Sequence, residues 1–113
     1  MLKKINRIRR DKEFDRVFKT GHSFYGQVLG VKAVANDLGY NRFGIIISTK
    51  VSKKAVVRNK FRRQIRAIIR INLDKLKPGH DVVLIIFPLI LDKNYQELEN
   101  IVKNGFKRLN LYK

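Results

Sequence analysis

The chain has no cysteine and no tryptophan among its 113 residues, and only two prolines. Without cysteine there is no disulfide framework and no thiolate metal site, a composition that suits a reducing cytoplasm. Long apolar runs are also missing. The longest is Val82 to Phe87, carried past Pro88 to Leu91, far short of the roughly 20 residues that cross a bilayer. The opening MLKKINRIRR has no apolar stretch behind its charges and does not read as a secretory signal. Acid is scarce too: nine Asp plus Glu stand against 26 Lys plus Arg, a formal net charge of +17. In a small domain that excess opposes compaction, and a polyanion relieves it. Nucleic acid is the first expectation and anionic membrane the second. Hydrophobic residues make up 44% of the chain, enough for a packed core, which argues against wholesale disorder.

No repeat, low-complexity linker or composition break divides the chain, so residues 1–113 read as one domain. The first ten residues carry Lys3, Lys4, Arg7, Arg9 and Arg10 and no acid, the pattern of a mobile or loosely docked basic arm. Asp11 can cap a short helix whose Phe14, Val17 and Phe18 share one face, with Gly21 as its stop. Ser23 to Ala35 is a long β-type stretch in which Gly26 or Gly30 marks a bend or bulge. After the turn Asn36-Asp37-Leu38-Gly39, Arg42 to Ser48 reads as a second strand. Its consecutive Ile45, Ile46 and Ile47 suggest burial on both faces. A hairpin between these two segments is the expected pairing.

Lys54 to Ile71 is the clearest helix, with Val57, Phe61, Ile65, Ile68 and Ile69 on one side. Asp81 to Phe87 is a buried strand that Pro88 closes, since proline cannot donate to a ladder. Asn94 can cap a last helix in which Tyr95, Leu98, Ile101, Val102, Phe106 and Leu109 recur at helical spacing. The element order is α-β-β-(β)-α-β-α, and the expected class is α+β, a two-layer sandwich with helices on one side of a sheet.

The central helix carries the chemistry. No acid occurs between Asp37 and Asp74, while Lys50 to Arg70 holds nine basic residues. Lys54, Arg58, Arg62, Arg66 and Arg70 recur every four residues, a ridge drifting about 40° per step, with Asn59, Lys60 and Arg63 beside it. The apolar stripe is expected on the opposite arc. Like charges at this spacing cost a few tenths of a kcal/mol per pair, and a structural surface would intersperse Glu. An anionic ligand is therefore expected to supply the counter-charge. Arginine's planar fork suits phosphate oxygens and base faces. With no helix-turn-helix pair and no zinc-ligand spacing, the anion reads as RNA rather than DNA. A membrane-surface helix fits less well, because the apolar stripe is needed for the core.

The segment Ser48 to Arg70, STKVSKKAVVRNKFRRQIRAIIR, resembles the signature of the bacterial ribonuclease P protein family at Ala55, Val56, Arg58, Asn59, Lys60, Arg62, Arg63 and Arg66. The segment DKEFDRVFKTG from Asp11, the run Pro78 to Val83 and the closing helix from Tyr95 are similar to the family as well. The resemblance implies a left-handed βαβ crossover around the basic helix. Its implied partners are a catalytic RNA subunit and precursor tRNA, with magnesium held mainly by the RNA. It also implies that Arg58, Asn59, Lys60, Arg62, Arg63 and Arg66 face the RNA subunit, and that Phe14 and Phe18 line a cleft for the single-stranded 5′ leader; Lys50, Lys53, Lys54 and Arg70 of the same basic run are expected to extend the RNA-binding surface. Lys32 stands where the family often has a cleft aromatic, which suggests a phosphate contact there. The turn Ser52-Lys53-Lys54 is one residue longer than the family's usual Gly-Asn turn.

By spacing alone Phe14 and Phe18 fit a core equally well. His22 and His80 each lie beside a turn and read as structural or surface residues. Asp11, Glu13 and Asp15 cluster at a helix start, where the dipole favours acid, and a magnesium site there is conceivable. No nucleophile–base constellation stands out, so bond breaking is expected from the RNA. The competing readings are a ribosomal protein that binds rRNA and a nuclease that works without RNA.

Overall fold

The protein's computed structural model describes residues 2–113. Helix α1 spans Asp11–Thr20, α2 Ala55–Asn72 and α3 Tyr95–Arg108, and the strands are β1 His22–Tyr25, β2 Leu29–Ala35, β3 Arg42–Ile46 and β4 His80–Ile86. Short 3₁₀ turns lie at Lys4–Asn6, Leu73–Lys75 and Pro88–Asp92. The α+β class and the element order are as expected. The β stretch from Ser23 divides at Gly26–Val28 into two antiparallel strands. Asn94 caps α3: its side chain accepts from the Glu97 N–H at 2.8 Å, and Glu97 accepts from the Asn94 N–H at 3.0 Å.

The sheet order is β1-β2-β4-β3. The expected hairpin between the second and third strands is therefore absent. β4 lies between them, antiparallel to β2 and parallel to β3. Two causes act together. β4 is the most apolar strand, with Val82, Val83, Leu84 and Ile86 all buried, and the centre of a sheet is where both of its faces are covered. The link after β2 is also tied to the start of β4, because Asn36 donates to Asp81 at 2.8 Å and the Asn41 side chain accepts from the His80 N–H at 2.8 Å. β3 becomes an edge strand, and its Ile45 and Ile46 are only half-buried. Because β3 and β4 are parallel, α2 is the crossover of a βαβ unit.

On one face of the sheet, Leu29, Val31, Ala33, Phe43, Val82 and Leu84 pack against Phe61, Ile65 and Ile68 of α2 and Leu98, Val102 and Phe106 of α3. Helix α1 is not on that side. It lies on the opposite face, where Val17 packs with Ile8, Val83 and the half-buried Phe14, Ile46 and Ile85. The basic N-terminal segment is not a loose arm either. Leu2 and Ile8 are buried, the Ile8 N–H donates to the Phe43 carbonyl at 2.8 Å, and Asn6 donates to the Asn41 carbonyl at 2.8 Å. The open edge of β3 leaves backbone groups unpaired, and this segment pairs with them.

Candidate nucleic-acid interface

The cationic ridge of α2 is solvent-facing for most of its length. Lys53, Lys54, Asn59, Lys60, Arg63 and Arg70 are exposed, as is Lys50 in the loop before the helix. Arg58, Arg62 and Arg66 are half-buried, so the row is not diametrically opposite the apolar stripe. A step of four residues advances about 40° beyond a full turn. The ridge thus starts on the flank of the buried stripe and winds out to Arg70.

The local bonds orient these groups without neutralising them. Arg58 donates to the Ser52 carbonyl at 2.8 Å, and Arg62 donates to the Asn59 side-chain oxygen at 2.9 Å. The turn before the helix is held by Ser52, whose hydroxyl accepts from the Lys54 N–H at 3.2 Å, and by Val51, 3% exposed in the core. Among the described residues no carboxylate pairs with any cation of α2; the ion pairs are Arg16–Asp81, Arg42–Glu13, Arg42–Asp81 and Lys103–Glu99. Burial, then the neighbouring Arg7 and Arg62 guanidinium groups, pull the pKa of Arg66 below the usual arginine value. Arg66 is thus a cation crowded by cations. It lines a pocket at the β3 edge together with Arg7, Arg9, Phe14 and Gly44, where the α2 surface meets the α1 side of the sheet.

The second surface is the gap between α1 and the sheet. Phe14 is half-buried, and a Cβ at Gly44 would clash with the Cε1 and Cζ edge of its ring. This glycine is what lets α1 sit so close to β3. Phe18 is 38% exposed at the mouth of the gap. Lys32 reaches up from β2 and places its ammonium 5.3 Å from the Phe18 ring centroid and 3.3 Å from the Phe18 carbonyl. Phe18 and Lys32 are thus brought together, while Phe14, one turn earlier on α1, is seated over Gly44 of β3 and lines the pocket that also holds Arg66.

What holds α1 in place was not visible in the sequence. Asp81 is fully buried. Arg42 grips it with two bonds of 2.9 and 2.7 Å and reaches on to Glu13 of α1 at 2.8 Å. That pairing with Asp81 is the chief reason the Arg42 pKa is raised. Burial pushes the Glu13 carboxyl up, but the Arg9 and Arg10 N–H groups and Arg42 outweigh it and hold the pKa below the usual glutamate range. Glu13 is thus committed to capping α1 and pairing with Arg42. Among the described residues, no three His, Cys, Asp or Glu side chains gather as a metal site would need, and of Asp11, Glu13 and Asp15 it is Glu13 that turns to Arg42 and the Arg9 and Arg10 N–H groups. His22 and His80, far apart in sequence, line one pocket at the end of the sheet.

Fold and surface together define a class: a small, very basic α+β protein with a crossover helix whose cations have no carboxylate partner among the described residues, and an exposed phenylalanine–lysine pair beside α1. The ribonuclease P family profile matches residues 2–110. A protein of Pseudanabaena sp. (strain PCC 6903) named ribonuclease P protein component is 42% identical, covering 92% of this chain and 90% of that one. One of the same name from Clostridium botulinum (strain 657 / Type Ba4) is 39% identical over 96% and 98% of the two chains. Among solved structures, a Staphylococcus aureus RNase P protein mutant with defective mRNA degradation activity superposes with a TM-score of 0.91 at 26% identity, covering 96% of this chain and 92% of that one. The RNase P protein of Thermotoga maritima, in complex with 1-(4-fluorophenyl)-2-thiourea, gives 0.84 at 30% identity, covering 90% and 98%.

The chain belongs to the ribonuclease P protein family. It is thus a tRNA-processing subunit of an endoribonuclease complex, and the family implies an RNA subunit as its partner. The ribosomal reading is set aside by these matches.

Proposed function

We propose that α2 docks the catalytic RNA subunit along the row Lys54, Arg58, Arg62, Arg66 and Arg70, with Lys50, Lys53, Asn59, Lys60 and Arg63 extending the contact. The cleft beside α1 holds the single-stranded 5′ leader of precursor tRNA, with Phe18 stacking a base and Lys32 meeting a phosphate. The observation that carries this reading is the absence of any carboxylate partner for the α2 cations among the described residues. A protein surface that pays repulsion along a whole helix without Glu is matched to an external polyanion. Arg62 and Asn59 are already joined, which spares part of the entropy of ordering them on binding.

In this reading the RNA breaks the phosphodiester bond and magnesium belongs to the RNA, while Glu13, Glu97 and Asp81 of the protein serve helix capping and the Arg42 pairs. The protein contributes charge neutralisation, leader positioning and discrimination of precursor from mature tRNA. Its site of action is the cytoplasm. The test is reconstitution of the purified chain with a bacterial ribonuclease P RNA at low magnesium. The expected result is 5′ maturation of precursor tRNA only when both are present. Cleavage by the protein alone, or no effect of adding it, refutes the assignment of roles.

A further inference from the structure

Lys32 leaves the cleft one aromatic short, and the two aromatics of β1 are the nearest candidates to replace it. The register separates them. Phe24 pairs with Val31, which faces α2 and α3, and the guanidinium of Arg108 stands 5.4 Å over its ring. Phe24 is therefore turned away from the cleft. Tyr25 pairs with Gly30, and side chains alternate along a strand, so Gly30 lies on the same face as Lys32, the face of α1.

The Tyr25 ring rests directly on Gly30. A Cβ at Gly30 would meet the ring carbons Cδ1 and Cε1 at 2.5 and 2.8 Å. Covering a strand glycine with an aromatic from the neighbouring strand is a known packing device, and it explains one side of the ring. It does not explain why Tyr25 remains 56% exposed. A ring backed by the sheet and open in front is the geometry that stacks an unpaired base. Lys32 is the next residue along this face, about 6.8 Å from Gly30 at strand rise, and its ammonium already touches Phe18.

We infer that Tyr25, laid flat on Gly30, is a second base-stacking subsite of the cleft. It takes an unpaired nucleobase next to the one at Phe18, with the connecting phosphate at Lys32. The inference rests on the leader-cleft reading above, and the experiment separates the two.

The probe is precursor tRNA with 2-aminopurine placed singly along the 5′ leader, bound to the holoenzyme reconstituted with a ribonuclease P RNA. Wild-type protein should quench two adjacent leader positions. Tyr25→Ala should release one of them and weaken precursor binding by roughly 5- to 150-fold, the span expected of base–aromatic stacking, with mature tRNA binding unchanged. Tyr25→Phe should behave as wild type. Gly30→Ala, which keeps the tyrosine but lifts its ring off the sheet, should reproduce the loss. The double variant Tyr25→Ala, Gly30→Val refills the sheet surface with a β-branched side chain. It should recover thermal stability but not leader quenching.

Recovery of leader binding in the double variant would make Tyr25 a packing residue only and overturn the proposal. Quenching and affinity untouched by Tyr25→Ala, while Phe18→Ala lowers both, overturns it too and leaves the cleft standing. If neither variant changes either readout, the cleft reading falls and this one falls with it.

Discussion

At the scale of single residues, the two phenylalanines of α1 are not equivalent. Phe14 is half-buried over Gly44 and belongs to the small core under α1, whereas Phe18 is open at the cleft mouth. Phe14→Ala therefore mixes lost packing with lost binding. Phe18→Ala isolates the stacking surface, and it should weaken precursor binding by about 1–3 kcal/mol with little change in denaturation midpoint. Equal losses for precursor and mature tRNA in a filter-binding assay count against the leader assignment. Arg62 is the cleanest probe of the α2 face, since its only described bond is to Asn59. Arg62→Ala should lower RNA-subunit affinity and flatten the salt dependence by about one unit of log–log slope for the lost phosphate contact. A slope identical to wild type across a salt titration argues that Arg62 touches no phosphate.

At the scale of elements, α1 hangs on a polar clasp and a glycine seat. The Asp81 carboxylate is fully buried and bridged by Arg42 to Glu13. Asp81→Ala leaves the half-buried Arg42 guanidinium with Glu13 alone and should cost about 3 kcal/mol, the low end for a broken buried pair, read by urea unfolding; a loss below 1 kcal/mol contradicts the clasp. Glu13 brings a pH dependence of known sign. Its folded pKa is depressed, so its contribution is fully present above the ordinary glutamate value of 4.5 and fades as pH falls through the lower folded value. The gap in melting temperature between wild type and Glu13→Gln should hold at pH 6 and close under acid. A gap that persists at the lowest pH points to something other than the carboxylate charge. Gly44→Ala pushes a methyl into the Phe14 ring and should destabilise by about 1–3 kcal/mol through overpacking. It should also lift α1 and weaken leader binding more than binding of the RNA subunit.

Across the whole molecule the two surfaces lie on opposite faces of one sheet, the ridge with α2 and the cleft with α1. They come nearest at the β3 edge, where Arg66 and Phe14 line one pocket. Pairs that avoid this edge should act independently. The free-energy losses of Arg62→Ala and Phe18→Ala on precursor binding to the holoenzyme should add to within about 0.5 kcal/mol. A pair taken across the edge, such as Arg66→Ala with Phe14→Ala, is expected to deviate. Strong coupling in the first pair would show that leader and RNA-subunit contacts are not separable surfaces.

Much of this protein was legible in its residues because the signals were periodic and local. Apolar spacing set out all three helices, Asn94 and Gly21 marked ends, and Pro88 closed the last strand. The row Lys54 to Arg70 needed only an absence of acid around it to declare itself. What the sequence could not express was pairing between distant segments. Strand order depended on which strand most needed burial on both faces, and on the reach of Asn36 and Asn41 to the start of β4. The N-terminal segment looked like a mobile or loosely docked basic arm because charge counting hides Leu2 and Ile8, whose partners exist only once β3 presents its edge. Asp81 read as one acid among nine until Arg42 and Arg16 closed around it, and the division of Phe24 from Tyr25 waited on a register that one slipped residue would have reversed. Local propensity and charge are properties of neighbours along the chain, so the sequence alone determined them. Faces, edges and buried ion pairs are properties of neighbours in space, and only the tertiary structure decided those.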